Sequence, residues 1–426
     1  MKTIKYPNKR SWKKLAKRPI IELEKLNGLI KNVFDDVQKN GDVAVKRYTS
    51  LYDKVELKAL QVKEKVFSDA SKALSNELKL AIQLAKKNIE VFHKSQLEVS
   101  KVIETTIGVK CWRESRGIEK VGIYIPGGSA PLFSTVLMLG VPAKLAGCKE
   151  VVLFTPPDKN GKINPAILYA ANLVGITSVF SVGGIQAIAA MTFGTKSIIK
   201  VDKIFGPGNQ YVTAAKQLAQ FRGVAIDMPA GPSEVLIIAD KTSVPEFIAS
   251  DLLSQAEHGA DSQVILLSDD EKVVFETINE LNRQVKRLPR KTIAEKALKK
   301  SKAIVFKNIA DCIAFSNEYA PEHLILAINN VNRVIPSIIN AGSVFLGNYS
   351  CESAGDYASG TNHTLPTNGY AKSYSGVSLD SFLKKITFQE LSKKGLQNIG
   401  PAIELMAEAE QLFAHKNAVT LRLKKK

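Results

Sequence analysis

The sequence predicts an α/β protein with two sets of parallel strands, each covered by helices. Three observations carry this. From Val121 onward, apolar runs of strand length alternate with helix-like segments. The same alternation starts again after Gly231-Pro232-Ser233. Glycine-rich turns (Pro126-Gly127-Gly128, Val182-Gly183-Gly184 and Gly206-Pro207-Gly208-Asn209) stand where strands end. Strands that alternate with helices need crossover connections, and so pair in parallel with both faces covered. Ligands in such sheets bind beyond the carboxyl ends of the strands, where these turns lie.

In chain order, residues 1–100 read as mainly helical and polar-rich, with helical periodicity over Leu23–Tyr52 and Val66–His93. His93 has a charged context and reads as a structural histidine. Cys111 lies on a predicted strand around Gly108–Arg113, where packing explains it better than reactivity. The first strand set is VGIYIP from Val121, EVVLFTP (150–156), SVFSV (178–182) and KIFGPGN (203–209). The second is EVLIIAD (234–240), VILLSDD (264–270), AIVFKN (303–308), HLILAI (323–328) and SVFLGNY (343–349). Two similar sets suggest two related domains facing a cleft. After about Ser381 the chain reads as helical again. No glycine turn matches GxGxxG, yet each can offer backbone amides to a phosphate at a helix start. Tyr124, Gln186 and Asn209 stand at the three turns, placed to touch a cofactor.

A chain of 426 residues has room for two to four domains. Hydrophobic content of 45% and charged content of 23% are those of an ordinary globular protein. No apolar run reaches transmembrane length. The basic N-terminal segment lacks the apolar stretch of a signal peptide. Cys111, Cys148, Cys312 and Cys351 are scattered without a CxxC pair, which points to a reducing cytoplasm. The net charge of +18 comes mostly from lysines spread along the chain, with short clusters and no aromatic interleaving. It reads as a solvated surface and not as a nucleic-acid footprint.

Chemistry concentrates around Asp251–Gln263. A helix is expected here, with Ser243 as N-cap, Glu246 completing a capping box and Gly259 as the stop. Gln255 and His258 are three apart and project from one face, an amide oxygen beside an imidazole. Of the five histidines, His323 follows Glu322 at the start of an apolar strand and His415 lies near the C-terminus. Asp356 sits in a loop of small residues, with His363 seven positions further on. Such nitrogen and oxygen donors suit zinc, although the spacing matches no known zinc motif and structural histidines stay open as the other reading. Glu322 and His323, at a loop-to-strand junction after Pro321, can act as acid–base partners; an exposed Glu beside a packed His is the alternative.

With these segments, GIYIPGGSAPLFSTVLM, GGIQAIAAMTFGT, KIFGPGNQYVTAAK, DMPAGPSEVL and GTNHTLPT, occurring in this order, resemble histidinol dehydrogenases over essentially the whole chain. The resemblance implies a zinc enzyme that oxidises L-histidinol to L-histidine with two NAD⁺. It implies zinc ligands Gln255, His258, Asp356 and His415, and substrate contacts from Ser233, His323 and Glu410 together with those ligands. It further implies NAD contacts at Tyr124, Gln186 and Asn209, with Glu322 and His323 as the acid–base pair. Two incomplete Rossmann-like domains are implied, with small helical N- and C-terminal pieces. Their expected bounds are 1–20 for the N-terminal piece, 121–235 for the NAD-contacting domain and 379–426 for the C-terminal tail. Residues 21–120 with 236–378 would form the discontinuous domain carrying zinc and the acid–base pair. The family is a homodimer whose tail reaches the partner's active site, so Glu410 and His415 would act in trans.

Three rivals remain at this level. One is a zinc- and NAD-dependent dehydrogenase of another small alcohol. Another is a zinc hydrolase with Glu322 as the water-activating base. The third is a basic nucleic-acid binder. A thiohemiacetal route on Cys111 or Cys148 lacks an activating neighbour for either thiol.

Overall fold

The computed structural model describes residues 1–18, 26–127, 130–229 and 231–425. Two parallel sheets dominate. The larger has six strands in the order Lys2–Lys5, Lys302–Val305, Gln263–Ser268, Glu234–Ala239, His323–Ala327 and Ser343–Leu346. Its central strands are buried from end to end, which explains their almost unbroken Val/Ile/Leu composition. Helices Pro245–Ala256, Glu271–Gln284 and Lys291–Lys300 fill one face, while Trp12 and helix Ile309–Tyr319 fill the other. Each large apolar side chain in these layers contributes on the order of 2 kcal/mol by leaving water.

The second sheet has five parallel strands, in the order Ser178–Phe180, Glu150–Phe154, Lys120–Tyr124, Lys203–Phe205 and Ala225–Ile226. One face is covered by helices Glu64–Lys72, Asn76–Lys94, Phe133–Leu145 and Pro165–Leu173. The other is covered by Asn27–Asn40, Asp42–Asp53, Gly184–Phe193 and Gln210–Phe221. Every strand expected in the two sets is present.

The packing departs from the sequence reading in several places. Of the expected N-terminal helical piece 1–20, residues 19–20 lie outside the described residues, and 1–18 are not mainly helical: Lys2–Lys5 is a strand paired with Lys302–Val305, and only the short turns Lys9–Ser11 and Trp12–Leu15 are helical. The helices between Asn27 and Lys94 cover the five-stranded sheet and not the six-stranded one, because their apolar stripes fill that sheet's two faces. Glu234 and Val235 already belong to the six-stranded sheet, so the lobe boundary precedes them. The tail opens with the short turn Leu379–Phe382 and then a strand, Leu383–Leu391, paired antiparallel with Val109–Gly117, which also carries Ile103–Thr106. Trp112 and Phe388 stack across that pair at 5.5 Å. Helices Lys393–Ala409 and Phe413–Lys424 follow and pack on each other.

The expected capping box is absent as well. Pro245 occupies the first turn and its fixed φ starts the helix, with Val244 as the N-cap, while the Ser243 hydroxyl donates to the Asp240 carbonyl. The helix ends at Ala256, so Gly259 is not its stop.

Candidate metal and acid–base site

A cleft of about 810 Å³ lies between the two lobes. On the five-stranded side it meets the carboxyl ends of the strands, through Pro126 and the Pro207–Asn209 turn. On the six-stranded side it meets the opposite, amino ends: Glu234, Gln263 and His323 are the first residues of their strands. The carboxyl-end expectation therefore holds for one lobe only. Helices that return antiparallel to the strands deliver their C-termini to this side, and the negative end of a helix dipole favours a cation there. Gly206 shapes the far wall. Its φ is +119°, and a Cβ there would stand 2.0 Å from the Tyr124 carbonyl oxygen.

Gln255 is buried on the last turn of helix Pro245–Ala256, and the exposed His258 follows just past the end, with its backbone N–H bonded to the Gln255 carbonyl at 3.2 Å. A short helix, Glu352–Tyr357, faces it and presents Glu352 and Asp356 four residues apart. Glu352 accepts from the Ser254 hydroxyl at 2.6 Å and from Gln255 Nε2 at 2.5 Å. That bond turns the amide so that Gln255 Oε1 stays buried without a hydrogen-bond partner, and Asp356 Oδ1 is equally unpartnered. Donor atoms of His258, Glu352 and Asp356 all lie within 4.8 Å of one another. Buried acceptors without donors are costly unless something positive meets them. An imidazole nitrogen, an amide oxygen and a carboxylate oxygen make a donor set that zinc accepts. The residues present thus fit a metal.

The two carboxyls titrate in opposite directions. Burial pushes Glu352 up to about 8, with the neighbouring Asp356 and Glu322 charges adding to it against His323 and Ser254. Burial also works to raise Asp356, but His323, His363 and His258 outweigh it and bring it down to about 2. Like charges this close divide their protonation between them. Glu352 was not singled out from the sequence; its four-residue spacing to Asp356 was the available signal.

His323 and Glu322 are both held by one residue, Glu234. The Glu234 N–H donates to Glu322 Oε2 at 2.7 Å, and its carbonyl lies 3.1 Å from His323 Nδ1. Gln255 Nε2 also lies 3.1 Å from Nδ1. The carbonyl can only accept and the amide nitrogen can only donate, so they ask opposite roles of Nδ1; in the charged ring that the surrounding carboxylates favour, Nδ1 carries a proton and bonds the carbonyl. Nε2 then faces Asp356 Oδ1 at 3.5 Å, too far to count as a hydrogen-bond partner. Burial disfavours the imidazolium, yet Glu322, Asp356 and Glu352 together raise the His323 pKa well above its ordinary value. His363 joins the lobes: Nδ1 donates to the Asp356 carbonyl at 2.9 Å, and Nε2 accepts from the Thr135 hydroxyl at 3.0 Å.

The remaining expected site residues divide. Ser233 and Asn209 line the cleft. The Asn209 Oδ1 caps helix Gln210–Phe221, accepting from the Tyr211 and Val212 amides at 3.1 Å each. Tyr124 and Gln186 are buried beneath their turns, outside the cleft lining. The Tyr124 hydroxyl accepts from the Gly184 amide at 3.1 Å, and Gln186 Nε2 lies 3.4 Å from Asp53. Glu410 and His415 are exposed on the C-terminal helices and do not line the cleft of their own chain. One chain therefore brings together Gln255, His258 and Asp356, but not His415. Neither Cys111 nor Cys148 lines the cleft, and burial pushes the Cys148 thiol up to about 11. Among the described residues no helix is long and apolar enough to cross a membrane.

Comparison with known proteins agrees with this architecture. The sequence model of the histidinol dehydrogenase family matches residues 16–423. The chain is 60% identical over 423 residues to histidinol dehydrogenase of Bacteroides thetaiotaomicron, covering 99% of each chain. It is 52% identical over 414 residues to that of Escherichia coli K12, covering 96% of this chain and 94% of that one. The crystal structure of histidinol dehydrogenase from Elizabethkingia anophelis superposes with a TM-score of 0.98 at 63% identity, covering 100% of this chain and 98% of that one. With the family model matching nearly the whole sequence and a solved relative nearly superimposable, the chain belongs to the histidinol dehydrogenase family.

Proposed function

We propose that this enzyme oxidises L-histidinol to L-histidine in two successive steps with two NAD⁺ and one zinc ion per subunit, holding the aldehyde between the steps. That it is an oxidoreductase of histidine biosynthesis acting on histidinol follows from its family. One observation supports the finer reading most. Two buried oxygens, Gln255 Oε1 and Asp356 Oδ1, have no hydrogen-bond partner; Asp356 clusters with His258, and its Oδ1 lies 3.5 Å from an equally unpartnered His323 Nε2.

Gln255, His258 and Asp356 would hold zinc, with His415 of a second copy as the fourth ligand. When bound, zinc would supply a fixed positive charge that orients the substrate's imidazole and amine, and NAD⁺ would supply the hydride acceptor. Ser233, His323 and Glu410 would complete the substrate contacts. Tyr124, Gln186 and Asn209 are assigned to NAD; of the three, Asn209 is the one on the cleft wall.

His323 Nε2 removes the proton of the substrate hydroxyl, while the bond from Nδ1 to the Glu234 carbonyl steadies the ring and the imidazolium that forms. Asp356, held ionised, attracts that imidazolium; Asp356 would attract it less when it holds a cation, which would leave His323 nearer a usable base. Glu322 takes a proton from the water that adds to the aldehyde while the His323 imidazolium returns its proton to the carbonyl oxygen, and His323, a base again, takes a proton from the resulting diol as the second hydride leaves. The protein acts as a cytoplasmic homodimer in which the exposed Glu410 and His415 complete the site of the partner.

The test is NADH formation from L-histidinol by zinc-loaded protein, with product counted alongside. Two NADH per histidine, lost on chelation and restored by zinc, is the expected result. Absence of NADH from zinc-loaded protein overturns the reading, and hydrolysis without NAD would install the zinc-hydrolase alternative in its place.

A further inference from the structure

We infer that Arg18 is a positioning residue for the acid–base pair: it clamps the strand that fixes Glu322 and His323 to the turn that delivers them. This rests on the reading of those two residues given above.

Arg18 lies three residues beyond helix Trp12–Leu15, and its side chain is only 14% exposed. Its Nε and Nη2 fork onto the two carboxylate oxygens of the buried Glu234, with Nη2 to Oε2 at 2.8 Å. The same Nη2 donates to the Tyr319 carbonyl at 2.9 Å and the Ala320 carbonyl at 3.2 Å. The guanidinium carbon lies 3.8 Å from the centroid of the Tyr319 ring. Each partner leads to the pair by a short path. Glu234 offers its N–H to Glu322 and its carbonyl to His323. Tyr319 ends helix Ile309–Tyr319, and Ala320 turns the chain in the left-handed region at φ +54°, two residues before Glu322. That conformation is unfavourable for a residue with a Cβ and must be held by its surroundings. Only a planar fork with several donors can meet the carboxylate and both carbonyls together. A lysine could neutralise Glu234 but could not bridge to the turn.

Arg18 lines the cleft, so direct contact with a ligand is the competing role. The two roles separate in kinetics. A ligand contact is lost mainly in KM, whereas a displaced acid–base pair is lost in kcat. The experiment compares Arg18→Met and Arg18→Lys with Glu322→Gln and His323→Gln, measuring kcat, KM for L-histidinol and NAD⁺, and bound zinc. Misplacement by an ångström can cost about a hundredfold, so Arg18→Met should lower kcat by roughly that factor and Arg18→Lys by about tenfold. Both KM values should stay within about threefold and zinc content should be unchanged. If Arg18→Met fails to fold, Arg18→Lys, which keeps the charge on Glu234, carries the test. Unchanged kcat in a folded Arg18 variant, or a loss confined to KM, overturns the proposal. If Glu322→Gln and His323→Gln keep full turnover, the acid–base reading itself falls, and the role of Arg18 with it. If they lose turnover while the Arg18 variants do not, only the positioning role falls.

Discussion

Asp251 stands one helical turn before Gln255 and is destabilising where it stands. It is 7% exposed, and burial alone pushes its carboxyl from 3.8 up to about 7. A raised carboxyl pKa means that the folded chain keeps a proton which the unfolded chain releases. Stability therefore falls as pH rises from about 4, and the loss is complete above about 7. Roughly three units at 1.36 kcal/mol each set the full penalty at about 4 kcal/mol, an upper bound because the site retains some solvent. Asp251→Asn keeps the shape and cannot ionise. It should match the parent near pH 4 and exceed it by about 2–4 kcal/mol at pH 8, which for a chain of this size is a few degrees in Tm. The assay is thermal or urea unfolding of the metal-free protein at pH 4.5, 6 and 8. A stability difference that does not change with pH, or a variant less stable at pH 8, refutes the reasoning.

Four further outcomes are expected. His258→Asn should lose stoichiometric zinc and turnover, and zinc at a hundredfold excess over its Kd should stabilise the parent by about 3 kcal/mol but not the variant, as read by Tm with and without metal. Glu322→Gln should slow oxidation of added aldehyde more than oxidation of the alcohol, and equal losses in single-turnover measurements would argue against a role in activating water. Subunits carrying His258→Asn and His415→Asn, each inactive alone, should regain about a quarter of parental activity when mixed and reassociated, because half the dimers then own one intact site; no recovery would place His415 outside the partner's site. Lys216 and Asp227 form a buried pair that also binds the Gly206 carbonyl and amide. Lys216→Met should therefore cost about 3–5 kcal/mol in unfolding experiments and raise KM for NAD⁺ through the Pro207–Asn209 turn, and Lys216→Met with Asp227→Asn should be milder.

The strands were legible because buried parallel strands are written as unbroken apolar runs; Val264–Leu267 and Leu324–Ala327 have no other soluble use. Which sheet a helix covers was not legible. The stripe Ile30, Val33, Phe34 and Val37 states that one face is apolar and is silent about its partner. Lys2–Lys5 and Leu383–Leu391 escaped because each lies at an edge, half exposed, where lysines dilute the alternation. Ser243 has the chemistry of a cap, but Pro245 two residues later decides where the helix begins. Gln255, His258, Asp356, Glu322 and His323 were found from their side chains, and they do converge. The roles of Glu352, Glu234 and Arg18 depend on contacts between residues 97, 88 and 216 positions apart, and no local pattern encodes those.

The division of the cleft between two lobes also has a bearing on timing. Gln255, His258, Glu322, His323 and Asp356 all hang from strands and helices of the six-stranded layer. The opposite wall belongs to the five-stranded layer, to which His363 is tied through Thr135. A small pivot between the layers would widen or narrow the entrance while Glu322 and His323 keep their places, and it would be felt at Asp356, whose carbonyl accepts from His363. In the two-step cycle proposed above, a spent dinucleotide would leave and a fresh one would enter through that entrance. On that proposal the doorway for the carrier would swing while the acid–base pair stays in place, with Asp356 registering each swing through His363.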